Sequence, residues 1–188
     1  QPPPTVIRNT YLGLLSVNRL GVLLDEVQLS EVTPTSAVKP VTPAAFSWTF
    51  DSAIGEWTGF YGSNRLTALA KTGKSLEVYA RKADGTGASL LLAGKVQPGL
   101  SYRFSADVMV SRTASVAALS YAYLYLEDTS GKARTLSLGV VNTKGGVWSK
   151  LQQTFQVPAG AYRRMELLVL GTRPDQSLYL DNISLNRL

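Results

Sequence analysis

The chain contains neither cysteine nor histidine, and its 188 residues include no long apolar run. Without these two residue types, a cysteine nucleophile, a histidine general base and the usual zinc ligands are excluded. A membrane-spanning helix needs about 18 or more apolar residues in succession, so we predict no membrane insertion. The lack of disulfides does not reveal the compartment, because only their presence would argue for export. Catalysis, if any, would need a pair of carboxylates.

Clustered positive charge is also missing. The net charge is +6, yet lysine and arginine occur singly or in pairs such as Arg81-Lys82 and Arg163-Arg164. A surface that follows a phosphate backbone usually concentrates its cations, so we predict no binding to nucleic acid. A diffuse positive charge suits an acidic polysaccharide or an acidic cell surface.

From residue 46 onward, short segments with alternating apolar and polar residues are separated by turn residues, which is typical of strands. Helical periodicity is not sustained anywhere. Many short, evenly spaced strands predict an all-β antiparallel sandwich or jelly roll over residues 46–188. The predicted strands are Tyr102–Val110, Leu119–Leu126, Arg134–Val141, Trp148–Val157, Met165–Leu170 and Ser177–Leu185.

The first 45 residues have a different character. Residues 33–45 are rich in proline and threonine and predict an extended linker. The pattern of residues 1–32 predicts an N-terminal β segment, in which the sequence Leu24–Val32 repeats the pattern of the chain's last nine residues, Leu180–Leu188. We therefore predict that residues 1–32 are the closing strands of a preceding similar module or a segment that donates a strand. Such a segment needs a host sheet, in another copy or an adjacent module, unless it folds back on its own jelly roll.

Five sequence blocks resemble bacterial carbohydrate-binding modules of the type that is appended to xylanases and glucanases. They occur in the family's order across residues 46–185 and are Phe50–Trp57, Gly73–Val78, Val96–Ser105, Trp148–Pro158 and Leu178–Leu185. The resemblance implies a galactose-binding-like jelly roll and an extracellular or cell-surface module that binds polysaccharide without catalysing a reaction. Trp57 and Trp148 are expected to pack in or beside the core.

The resemblance also implies a structural calcium ion near the first and last strands. The matching acidic residues are Asp51 and Asp181. Calcium requires several oxygen ligands, some of them backbone carbonyls that a sequence does not reveal. The alternative is that both carboxylates cap turns by accepting backbone N–H bonds.

One strand presents a row of tyrosines. Side chains alternate along a strand, so Tyr121, Tyr123 and Tyr125 should share the outer face while the aliphatic residues between them face the core. On the strand expected to lie beside it, Arg103 and Asp107 should point to the same outer face. Together these residues predict a groove in which sugar rings stack on tyrosines and hydroxyls form hydrogen bonds. The alternative is that the tyrosines pack beneath a loop, the linker or another protein.

Two other functions compete with glycan binding. The module could be a structural subunit of a cell-surface layer or filament that assembles by β-strand addition. A small glycosidase would need two carboxylates about 5–10 Å apart. Asp107 and Glu127 are candidates, but two acids among 13 are expected by chance, so we predict that the chain is not an enzyme.

Overall fold

The computed structural model describes residues 45–111 and 117–188. This part of the chain contains 11 strands and no helix, as the sequence predicts. The strands are β1 (Ala45–Trp48), β2 (Thr58–Phe60), β3 (Ser63–Thr67), β4 (Ser75–Tyr79), β5 (Thr86–Leu91), β6 (Ser101–Val110), β7 (Ala118–Asp128), β8 (Ala133–Thr143), β9 (Ser149–Gln156), β10 (Tyr162–Gly171) and β11 (Leu178–Arg187). The described part of the chain contains no helix that could cross a membrane.

The strands form two antiparallel sheets. The six-stranded sheet has the order β3-β4-β11-β6-β9, and β1 pairs with the second half of β11. The five-stranded sheet has the order β2-β5-β10-β7-β8. Sequence neighbours such as β6 and β7 thus belong to different sheets. This arrangement is the predicted antiparallel sandwich of the jelly-roll type.

The core lies between the sheets because each long strand turns one set of alternate side chains inward. On β6 these are Tyr102, Phe104, Ala106 and Val108, as predicted, and each is at most 1% exposed. On β7 they are Ala122, Leu124 and Leu126, all fully buried. Trp57 is 3% exposed and contacts the rings of Trp48 and Phe50 edge-on, so its predicted core position is confirmed.

The six predicted strands are confirmed, with ends that differ by up to three residues. The sequence does not predict β1, β2, β3 and β5 individually, because each has at most six residues and β2 and β5 also contain glycine. Ala45, which the sequence assigns to the linker, begins β1. The N-terminal β segment and the rest of the linker lie outside the described residues, so their roles stay predictions.

Candidate functional site

The outer surface of the five-stranded sheet carries the predicted tyrosine row. Tyr121, Tyr123 and Tyr125 all project from β7 and are half-buried. Register places Leu168 and Glu166 of the neighbouring strand β10 opposite Tyr123 and Tyr125. Residues paired in register share a face of the sheet, so these side chains form one continuous surface. We call it the tyrosine face, and it comprises Phe60, Tyr121, Tyr123, Tyr125, Arg164, Glu166 and Leu168.

The rings of the tyrosine face form a staggered row. The centroids of Tyr121 and Tyr123 lie 5.3 Å apart, and their planes are tilted by 60°. The Cα atoms of alternate residues of a strand are about 7 Å apart, so the backbone positions of Tyr121 and Tyr125 lie roughly 14 Å apart. Flat rings at such intervals can each contact the apolar face of one sugar unit.

A polar pair borders this row. The Arg164 guanidinium donates to Glu166 Oε2 at 2.7 Å and lies 5.6 Å from the centre of the Tyr125 ring. Both side chains help to line a shallow cavity of about 200 Å³ with Phe60, Tyr125 and Leu168. Glu166 is 6% exposed, so the ion pair holds it in a fixed position. The cavity therefore combines ring surfaces with fixed hydrogen-bonding groups.

Tyr121 lies at the other end of the row. Burial, with the neighbouring Tyr123 phenol and the Asp84 carboxylate, raises the pKa of its hydroxyl above the ordinary value. The phenol is therefore neutral at physiological pH and can both donate and accept a hydrogen bond. Gly85 approaches so closely that a Cβ there would lie 3.1 Å from the Tyr121 hydroxyl oxygen.

A buried arginine holds the loops beside Tyr121. Arg81 is 6% exposed, and its guanidinium donates to the backbone carbonyls of Gly171, Arg173 and Gln176. Its Nε donates to the Thr86 carbonyl at 3.2 Å. Burial lowers the pKa of this guanidinium. The five donors of an arginine suit such a cage of carbonyl oxygens and fix the edge of the tyrosine face.

The predicted grouping of Arg103 and Asp107 with the tyrosines is wrong. Both residues lie on β6, which belongs to the six-stranded sheet, whereas the tyrosines lie on β7 of the five-stranded sheet. Because the connection from β6 to β7 crosses from one sheet to the other, strands that are consecutive in sequence face opposite sides of the sandwich. Arg103 is exposed on that opposite surface.

Asp107 is enclosed by its neighbours. Its Oδ1 accepts from the Lys71 and Lys150 ammonium groups at 3.1 and 3.0 Å, and its Oδ2 accepts from Asn182 Nδ2 at 3.1 Å. Burial alone would raise the pKa of Asp107, but these donors outweigh it and hold the pKa below the ordinary value. With 2% of its side chain exposed, this carboxylate is not accessible to a sugar.

Asp181 and Asp51 both hold the loop between β3 and β4. Asp181 Oδ2 accepts the backbone N–H groups of Lys71 and Thr72, each at 3.0 Å, and Oδ1 accepts that of Asn182 at 2.7 Å. Asp51 Oδ1 accepts the Lys74 N–H at 3.2 Å. A Cβ at position 73 would lie 1.7 Å from Asp51 Oδ1, so this contact requires the glycine that is there.

These contacts do not suit a calcium ion in the arrangement described. The carboxylate oxygens are directed at N–H donors, and Asp107, which faces Asp181 across the β6–β11 pair, is bound by two ammonium groups. No group of three or more acidic residues lies together among the described residues. Calcium accepts only oxygen donors, usually six to eight of them. Both aspartates cap the loop, and calcium binding stays a prediction.

Sequence reasoning did not single out Phe60, Arg164, Glu166 or Leu168. The alternation along β10 contains a signal for the last three, since Met165, Leu167 and Val169 face the core and the residues that alternate with them face outward. Glu166 and Leu168 are nevertheless only 6% exposed, because they lie in the middle of the sheet. Phe60 reaches the site through the pairing of β2 with β5, which no local pattern predicts.

Comparison with known proteins confirms the predicted family and fold. Residues 43–176 match the carbohydrate binding domain family. The CBM22-1 xylan-binding domain from Paenibacillus barcinonensis Xyn10C superposes with a TM-score of 0.70 at 20% identity, over 78% of this chain and 96% of that domain. The xylan-binding domain from CBM 22, formally x6b domain, gives a TM-score of 0.70 at 23% identity, over 79% and 97% of the two chains.

Two curated relatives are much longer than this chain. The peptidyl-Asp metalloendopeptidase of Pseudomonas aeruginosa is 37% identical over 95% of this chain but only 30% of its own length. Endo-1,4-beta-xylanase A of Thermotoga neapolitana is 26% identical over 85% of this chain and 15% of its own length. Both names are those of larger enzymes, whereas the family matched here is one of binding domains. The chain belongs to the carbohydrate binding domain family, and it is a non-catalytic module, as its sequence predicts.

Proposed function

We propose that the tyrosine face binds a polysaccharide of the xylan type. The observation that carries the proposal is the line of three half-buried tyrosine rings, Tyr121, Tyr123 and Tyr125, on the outer surface of the five-stranded sheet. Two of the structures with the same fold are named as xylan-binding domains. An open surface of this kind contacts the interior of a long chain, since nothing in it requires a chain end.

The binding energy comes from two kinds of contact. Each tyrosine ring covers the apolar C–H surface of a sugar unit and displaces water from both. The phenol hydroxyls and the Arg164–Glu166 pair hydrogen-bond to sugar hydroxyls and fix the orientation of the chain. Because the polar pair exists before the ligand arrives, little ordering entropy is lost on binding.

Single substitutions test the proposal. Xylohexaose and soluble xylan are titrated calorimetrically into the wild type and into Tyr121→Ala, Tyr123→Ala and Tyr125→Ala. Each variant should lose about 1 kcal/mol of binding free energy, or about fivefold in Kd, as expected for one aromatic contact. Tyr79→Ala is the matched control, because Tyr79 is also half-buried and lies on the outer surface of the other sheet.

The outcomes separate the tyrosine face from other surfaces. If all four variants bind with the affinity of the wild type, the ligand binds elsewhere. A loss of affinity in Tyr79→Ala alone would assign the ligand to the six-stranded sheet. Melting curves of the variants show whether a loss reflects binding or unfolding. If the wild type binds neither probe but binds another neutral polysaccharide, and the tyrosine variants lose that binding, the proposed site is correct and the proposed ligand is wrong.

For the whole protein, we propose an extracellular location and a targeting role. The two curated relatives join a similar segment to much longer enzymes, named as a protease and a xylanase. A non-catalytic module in such a chain raises the local concentration of a linked domain at a glycan surface. Pull-down of the full chain by insoluble xylan, compared with Tyr123→Ala, tests this role. Assembly through residues 1–32 stays a prediction, because that segment lies outside the described residues.

A further inference from the structure

A second cavity lies away from the tyrosine face, where the β7–β8 turn meets the β9–β10 loop. It has a volume of about 440 Å³, within the range of roughly 300–1,000 Å³ that is usual for small-molecule sites. We call it the end pocket. Its lining residues are Asp128, Thr129, Ser130, Lys132, Arg134, Ala159, Gly160, Ala161 and Tyr162.

Arg134 is held in place by an aromatic neighbour. Its Nη2 donates to the Tyr162 hydroxyl, and its guanidinium lies 5.4 Å from the centre of the Tyr162 ring. The Tyr162 hydroxyl in turn donates to the Pro158 carbonyl at 3.1 Å. One of the five guanidinium donors is thus used to fix the group, and the side chain stays exposed at the pocket.

The opposite wall is a turn closed by Asp128. Its Oδ1 accepts from the Ser130 N–H at 2.9 Å, the Ser130 hydroxyl at 2.6 Å and the Lys132 N–H at 3.0 Å. The Ser130 hydroxyl, followed by these backbone bonds, lowers the pKa of Asp128, so it is an anion at neutral pH. The turn fixes the backbone of Lys132, and Asp128 Oδ2 can accept from a ligand hydroxyl.

The two cations of the pocket differ from the arginines nearby. Arg163 and Arg164 are neutralised by Glu127 and Glu166. Among the described residues, neither Lys132 nor Arg134 has a carboxylate oxygen within 4.0 Å of its side-chain nitrogens. The pocket therefore keeps two free positive groups against the single charge of Asp128, which already accepts three hydrogen bonds.

We propose that the end pocket binds a terminal sugar that carries a carboxylate. A planar guanidinium matches the two oxygens of a carboxylate, and the lysine ammonium adds charge. The Thr129 hydroxyl and Asp128 Oδ2 are suited to ring hydroxyls. A concave pocket accepts a chain end or a side group, whereas the open tyrosine face accepts a chain interior. The proposal goes beyond binding of a neutral polysaccharide and uses none of the residues of the tyrosine face.

Matched charge variants test the proposal. The probes are a glucuronic-acid-terminated oligosaccharide, a sialic-acid-terminated one and a neutral oligosaccharide of equal length. The pocket variant is Lys132→Met/Arg134→Gln. Its control is Lys74→Met/Lys144→Met, which removes the same number of positive charges from exposed side chains away from the pocket, Lys144 lying beyond the far end of β8. Tyr123→Ala reports on the tyrosine face.

We expect an acidic probe to bind the wild type at least about tenfold more tightly than the neutral one, as a charge-assisted hydrogen bond provides. The pocket variant should lose this preference, while Lys74→Met/Lys144→Met and Tyr123→Ala keep it. Added salt should weaken the preference. The acidic probe that binds identifies the source of the carboxylate.

Several results would overturn the proposal. Equal binding of acidic and neutral probes, or an equal loss in both double variants, would mean that the pocket does not recognise the carboxylate. Loss of acidic-probe binding in Tyr123→Ala would place that ligand on the tyrosine face. If the double variant unfolds, Lys132→Met alone supplies the test, because its side chain is exposed. The xylan titration above is independent, so either proposal can fail without the other.

Discussion

The buried carboxylate of Asp107 gives the sharpest test of how the two outer surfaces differ. Asp107→Asn keeps the size of the side chain but removes the charge that binds Lys71 and Lys150. A hydrogen bond to a charged group contributes about 1.5–3 kcal/mol when it is shielded from water. Both lysine side chains are nearly half exposed, at 45% and 46%, so solvent screening reduces each contribution.

Asparagine can still accept the bond from Asn182. We therefore expect a loss of about 2 kcal/mol in the free energy of unfolding, which for a domain of this size lowers Tm by about 4–8 °C. Xylan affinity should not change, because the carboxylate lies on the sheet opposite the tyrosine face. Asp175→Asn is the control. Asp175 is 59% exposed in its ion pair with Arg173, and its removal should leave Tm unchanged within error.

The pH dependence follows from the direction of the Asp107 pKa. This pKa is lower in the folded protein than in the unfolded chain, where it is about 3.9. The contribution of the Asp107 charge to the free energy of unfolding is therefore complete above pH 5 and decreases as the pH falls below about 4. It disappears below the pKa of Asp107 in the folded protein. The difference in unfolding free energy between wild type and Asp107→Asn, from urea titrations at several pH values, should follow this course. An equally stable variant at pH 7, or a difference that does not decrease as the pH falls from 5 to 2, would refute the reasoning.

Three further predictions concern the loop caps and the N-terminal segment. Asp181→Ala should cost about 1–3 kcal/mol of stability, because it removes a fully buried carboxylate that accepts three backbone N–H bonds, whereas Asp51→Ala at an exposed cap should cost less. Melting curves compare the two. A chelator should leave Tm unchanged if the carboxylates only cap the loop, and a lower Tm would establish a bound metal. Deleting residues 1–32 should abolish any self-assembly seen by light scattering without lowering Tm, and the reverse result would assign the segment to the module's own fold.

The sequence predicts those features that depend on local alternation. The strand that carries Tyr121, Tyr123 and Tyr125, and the direction in which they point, follow from the period of two along β7. The core residues of β6 follow from the same rule. These predictions succeed because an inward-facing set of apolar side chains fixes the orientation of the whole strand.

The partners across strands cannot be predicted in this way. The sequence groups Arg103 and Asp107 with the tyrosines because β6 and β7 are consecutive, but in this jelly roll β6 and β7 belong to different sheets. Phe60 and Glu166 join the site through the pairing of β2 with β5 and of β5 and β7 with β10. Such pairing is fixed by packing between distant parts of the chain, and no local pattern records it.

The outer surfaces of the two sheets use their polar side chains differently, and this difference favours the five-stranded sheet as the binding surface. On the six-stranded sheet, Asp107 and Asp181 face each other, an arrangement that is destabilising unless donors compensate both charges. Lys71 and Lys150 compensate the charge of Asp107, and backbone N–H groups compensate that of Asp181.

On the same surface Glu77 accepts hydrogen bonds from Arg65 and from the Tyr179 hydroxyl, at 2.6 and 3.0 Å. Burial would raise the pKa of Glu77, but the bonds from Arg65 and other donors outweigh it and lower the pKa. Carboxylates that are satisfied in this way have little free energy to gain from a ligand. The tyrosine rings on the opposite sheet are only half-buried, so covering them with a sugar removes further apolar area from water. Tyr79 is also half-buried and projects outward, but its ring already lies beneath the Arg65 guanidinium, 4.6 Å from the ring centre. Tyr79→Ala should therefore leave xylan binding unchanged.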